Sequence, residues 1–77
     1  MNGTRRKQIR QALDLLEQAR NILNQCMEEE QDYVDSMPEN LQNSDRYYAA
    51  EESISNLEDA IDNIDEAVSN AEEAAGM

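Results

Sequence analysis

From Tyr47, alternating steps of three and four residues reach Ala50, Ile54, Leu57, Ile61, Ile64, Val68, Ala71 and Ala75, and every one of these positions is apolar. That is the period of an amphipathic helix rather than of a strand, and it predicts a helix over residues 45–75. Between the apolar positions stand Glu51, Glu52, Glu58, Asp59, Asp62, Asp65, Glu66, Glu72 and Glu73, so the back of this helix is almost purely anionic. The same stepping from Ile9 gives Ala12, Leu16, Ala19, Leu23, Cys26, Glu30 and Tyr33, flanked by Leu13, Leu15, Ile22, Met27 and Val34, and predicts a first helix over about residues 4–36. In this register Cys26 is a small core residue and Glu30 is the one charged position. Large and small side chains alternate along the stripe, which lets a partner helix approach closely.

The ends of both helices carry their own signals. Thr4 is a candidate N-cap, although Arg5, Arg6 and Lys7 then put positive charge where the helix dipole disfavours it, and something must compensate. Pro38 restricts Met37 to extended geometry and ends the first helix. Ser36 to Glu39 reads as a capping box that starts a single helical turn over Pro38 to Gln42, with Leu41 folded over the end of the core. Ser44 is the natural N-cap of the second helix, and Gly76 its C-terminal stop.

Two helices of roughly 30 residues, each about 45 Å long, joined by a connection over about residues 37–44, imply an all-α fold. The expected architecture is a coiled-coil-like antiparallel hairpin forming a single domain over residues 1–77. Folding back sets Arg5, Arg6, Lys7 and Arg10 beside Glu66, Glu72 and Glu73, and Tyr47 is expected in the core. The apolar residues of the first helix, with Leu13, Leu15 and Ile22, cover about half of its circumference, and Ala60, Ala67 and Ala74 widen the stripe of the second. One antiparallel neighbour buries less than that. Two hairpins are therefore expected to form a homodimeric four-helix bundle, or the remainder is a docking face for another protein. Small size points the same way, since a 77-residue core contributes only a few kcal/mol.

Charge narrows the partners. Eighteen acids against six bases give −12 at pH 7, which disfavours direct contact with nucleic acid or an anionic membrane and favours basic protein surfaces. The charge is also segregated: from Glu28 onward there are sixteen acids and one base, Arg46, whereas the first twenty residues hold five bases and two acids. The single cysteine cannot make an intramolecular disulfide, and no apolar run approaches the roughly 20 residues of a membrane span. A cytoplasmic location in a bacterial host is the corresponding expectation.

Catalytic chemistry finds no foothold. Histidine is absent, which removes Ser-His-Asp and Cys-His machinery along with His/Cys metal sites, and no glycine-rich phosphate loop is present. Glu28, Glu29 and Glu30 with Asp32 and Asp35 could gather a hard cation, but a helix aims consecutive carboxylates in different directions. No enzyme activity and no cofactor is expected. The acidic pattern itself remains. It places like charges at neighbour spacing around Asp62, Asp65 and Glu66, and negative charge in the last two turns of the first helix, where the dipole disfavours it. Such a face either keeps a bundle soluble or imitates the phosphates of nucleic acid, since carboxylates four residues apart stand about 6 Å from one another. The candidate partner-binding residues are Glu28, Glu29, Asp32, Asp35, Glu51, Glu52, Glu58, Asp59, Asp62, Asp65 and Glu66.

The segment Met37-Pro-Glu-Asn-Leu-Gln-Asn-Ser-Asp-Arg-Tyr47, followed by Ala50-Glu-Glu and by Leu57-Glu and Ala60, resembles small acidic proteins encoded by phages and prophages of Gram-positive bacteria. In those proteins an MPENLQ-x-S-x-R turn joins two amphipathic helices. The resemblance covers about residues 9–74 and implies a helical hairpin of mobile-element origin without catalytic residues. By charge and size such proteins are also similar to anti-CRISPR proteins and other DNA mimics, an analogy of class. What it implies is an inhibitor that presents its anionic face to a nucleic-acid-binding protein of the host. The alternative is a phage structural or assembly protein acting through its apolar stripe.

Overall fold

A computed structural model describes all residues 1–77 and contains helix α1 (Gly3–Asp35), a 3₁₀ turn (Glu39–Leu41) and helix α2 (Asp45–Ala75). The helices pack as an antiparallel hairpin: Arg6 near the start of α1 reaches Ala75 at the end of α2, and Arg20 reaches Asp65. The Cα trace is a rod of 59 × 15 × 14 Å. No helix is long and apolar enough to cross a membrane.

All nine stripe positions of α2 face α1. Ala50, Ile54, Ile61 and Ala75 are buried, and Tyr47, Leu57, Ile64, Val68 and Ala71 are partly buried. On α1 the seam differs from the expected register. Ile9, Leu16, Ala19, Leu23 and Glu30 are partly buried as expected, but the other positions are Leu13, Met27 and Val34 rather than Ala12, Cys26 and Tyr33, which are exposed. The steps therefore run four, three, three, four, four, three, four in place of a regular alternation. Size decides at two of the changed positions, because Leu13 and Met27 remove more apolar surface from water than Ala12 and Cys26 would, while at the third the polar tip of Tyr33 stays in water and Val34 is buried. Val34 forms the tightest part of the core with Ala50 and Ile54, against which Met27 and Tyr47 pack.

The caps also revise the expected ends. The N-cap of α1 is Asn2, not Thr4: its side-chain oxygen accepts a 2.8 Å hydrogen bond from the Arg5 N–H, and the helix begins one residue earlier than expected. Positive charge in this first turn is compensated by the neighbouring helix end. Arg6 Nε donates to the Ala75 carbonyl at 3.1 Å, placing a cation at the negative pole of α2. None of Arg5, Arg6, Lys7 or Arg10 forms an ion pair with Glu66, Glu72 or Glu73, contrary to expectation.

In the connection, α1 stops at Asp35, one residue short of the predicted end, with Ser36 as C-cap. The Ser36–Glu39 capping box does not form. Pro38 holds an extended ψ of 148°, and the turn is tightened by Leu41 N–H to Pro38 O (2.8 Å) and Gln42 N–H to Glu39 O (3.3 Å). Leu41 lies on the surface instead of covering the core. Ser44 is the N-cap of α2 as expected, and its hydroxyl works in both directions, accepting from the Tyr47 N–H at 3.3 Å and donating to the Leu41 carbonyl at 2.6 Å. Ser44→Ala is expected to lower stability by about 1 kcal/mol in urea unfolding, typical of a lost cap. Gly76 ends α2 with φ 71°, a conformation that suits glycine.

Candidate functional site

The hairpin has two unlike broad faces, set by the rotation of each helix about its seam. At about 100° per residue, Glu28 and Asp35 stand to one side of the α1 seam, and Glu51, Glu58, Asp62 and Asp65 stand on the matching side of α2. Because the helices are antiparallel, equal rotations from the two seams bring these residues onto one face of the rod. A groove of about 270 Å³ along this face is lined by Leu13, Asp14, Glu17, Arg20, Asp65, Val68 and Glu72. Asp14 and Glu17, absent from the candidate residues, thus join the acidic face together with Glu72. Their signal was available only after the α1 register was known.

Asp32, Glu52, Asp59 and Glu66, also candidates from the sequence, lie on the outer backs of their helices, turned away from the opposite helix, and Glu29, seven residues after Ile22, lies toward the opposite broad face. All eleven candidate carboxylates are exposed. Asp32, Glu52, Glu58, Asp59, Asp62 and Glu66 make no side-chain hydrogen bond or ion pair. Glu28, Glu29 and Asp35 accept only from the amides of Asn24, Gln25 and Gln31, one turn earlier.

The ion pair in the molecule joins Arg20 Nε to Asp65 Oδ1 at 2.6 Å, with a second contact from Nη2 to Oδ2 at 3.4 Å. Both side chains are about half exposed (45% and 50%), so the pair contributes only about 0–1 kcal/mol. Its larger effect is to fix the level of α1 against α2. The Tyr47 phenol is held above its ordinary value by hydrogen bonding to the Glu51 carboxylate first, and by the charge of that carboxylate second.

The opposite face is built differently. On α1 it carries Ala12, Leu15, Ala19, Ile22, Cys26 and Tyr33, and on α2 Ala49, Ser53, Asn56, Ala60, Asn63, Ala67, Asn70 and Ala74. None of these is charged, and the same rows add only Arg5, Glu29 and Arg46, although α2 alone contains ten acids. Leu15 and Ile22 are 59% and 63% exposed. At the loop end, Tyr33, Ser36, Met37, Pro38, Leu41, Ser44, Asp45 and Arg46 line an open cavity of about 570 Å³, so much of the distinctive connecting segment is at the surface.

No group of histidine, cysteine or carboxylate side chains converges in a way that could hold a metal ion. No protein-family model matches the chain, and no curated protein or solved structure is detectably similar to it.

Proposed function

We propose that this protein is a non-enzymatic acidic interaction protein of phage or prophage origin, which blocks a nucleic-acid-binding protein of the host by laying its anionic face in a basic channel. The observation that carries this reading is the sorting of carboxylates onto one face and the adjoining helix backs, with the bases of that face, Lys7, Arg10 and Arg20, confined to the first twenty residues. A face that served solubility alone would ordinarily mix signs.

Charge density supports the same kind of partner. The net charge of −12 over a 59 Å rod is about one charge per 5 Å. That is closer to the roughly 3.4 Å spacing of phosphates along one strand than to the roughly 1.7 Å of duplex DNA. A channel built for single-stranded or guide nucleic acid is therefore the better match.

The test is capture of partners from bacterial lysate on immobilised protein at about 50 mM and about 500 mM salt. A basic nucleic-acid-binding protein retained at low salt and released at high salt is expected. Retention of a partner indifferent to salt would overturn the reading. Exposure of Leu15 and Ile22 favours a second reading, assembly through the weakly charged face. Under it, Leu15→Ala and Ile22→Ala abolish partner recruitment while acidic-face changes do little.

A further inference from the structure

We infer that the weakly charged face is a homodimer interface, in which α1 of one copy packs on α2 of the other about a two-fold axis parallel to the helices. This concerns the face opposite the acidic one and does not depend on the function proposed for the latter. Three observations select a second copy as the occupant.

The first is the incompleteness of the core. Only five of 77 residues are buried in the isolated hairpin, while Leu15 and Ile22 lie in water. The weakly charged face is two helices wide, about 20 Å, and about 45 Å long, so it offers roughly 900 Å² per copy, the area of a standard specific interface.

The second is charge. Two copies each carrying −12 can approach closely only on a face poor in carboxylates, and this face carries a single one, Glu29, beside two bases, Arg5 and Arg46. The anionic faces then point outward on opposite sides of the bundle.

The third is shape and register. α1 supplies the large side chains and α2 the small ones. A two-fold axis parallel to the helices preserves height along the rod, so the level set by Arg20 and Asp65 also applies between copies. By that level Ile22 of one copy meets the other between Ala60 and Ala67, and Leu15 meets it between Ala67 and Ala74. Each large side chain thus enters a gap between small ones one heptad apart, the arrangement of knobs and holes in helical bundles. A perpendicular axis would instead stack α1 on α1 and α2 on α2. That demands a wide spacing on one side and a narrow one on the other, which a rigid hairpin cannot satisfy.

Cys26 makes the interface directly observable, because it lies on this face, is exposed in the single chain and is the only thiol. The experiment is sedimentation velocity over a concentration series, with the rate of Cys26 modification by a soluble thiol reagent measured in parallel. Dimer is expected, and Cys26 modification should slow as it forms. Raising salt should strengthen the dimer by screening like charges. Leu15→Ala with Ile22→Ala should weaken it by about 100-fold, and Ala67→Leu, which fills the gap without disturbing the intrahelix seam, should weaken it independently. A chain that stays monomeric at every concentration and salt overturns the inference. So does a dimer in which Cys26 stays fully reactive, or one that Ala67→Leu leaves intact.

Discussion

Replacing Ile54 and Ile61 together by alanine should abolish the helical circular-dichroism signal of this protein at micromolar concentration. These two side chains are the largest of the five buried residues. Truncation of a buried isoleucine to alanine costs about 2–5 kcal/mol. A 77-residue chain with so small a core sits near the low end of domain stabilities, about 4 kcal/mol at 0.05 kcal/mol per residue. Either truncation alone therefore removes much of the stability, and the pair exceeds it. The comparison variant is Ser55→Ala on the exposed face of α2, expected to change unfolding free energy by no more than about 0.5 kcal/mol. If the double variant keeps full helicity and a cooperative melt, the seam does not hold the hairpin as described.

The second large effect concerns the acidic face. Glu28→Lys, Glu58→Lys and Asp62→Lys together change the net charge from −12 to −6 and reverse three carboxylates on one face. Binding to the basic partner is expected to fall by at least about 100-fold at low salt, because like charges then meet across the interface. The control is Glu52→Lys, Asp59→Lys and Glu66→Lys, which alters net charge by the same amount on the outer back of α2. Its effect should be about tenfold or less, the part due to overall field rather than contact. Equal losses in the two variants would mean that total charge, and not the shared face, attracts the partner. Isothermal titration of each variant at two salt concentrations separates these outcomes.

The contrast between the two helices shows what the residues alone could reveal. In α2 one stripe is apolar without interruption and its surroundings are charged, so periodicity had a single solution and all nine positions are buried or partly buried. In α1 two apolar stripes overlap, one through Leu13, Met27 and Val34 and one through Ala12, Cys26 and Tyr33. The seam takes Leu13, Met27 and Val34 from the first stripe but Ala19 between them, and Arg20, the residue that would continue the first stripe, is exposed and charged. Only the contact with Asp65 across the hairpin satisfies Arg20, and such a long-range pair has no local signature. The same ambiguity explains the acidic face. Which carboxylates of α1 share a side with those of α2 depends on the rotation of α1, so Asp14 and Glu17 emerged only from the structure, while Asp32 lies on the back and Glu29 toward the opposite face.

The helix starts were ambiguous for a simpler reason. Asn2 and Thr4 are both competent caps, and the choice falls to the one whose side chain reaches the Arg5 N–H. At the other end, Ser44 had no competitor and is the cap expected from sequence.

The central claim is that the acidic face and a nucleic acid occupy the same channel. Its most direct test takes the captured partner, saturates it with this protein and titrates in the single-stranded or guide nucleic acid that the partner normally holds, following both by sedimentation. The account predicts mutual exclusion, with each ligand displacing the other and no species containing both. A stable complex of partner, nucleic acid and this protein together would contradict it.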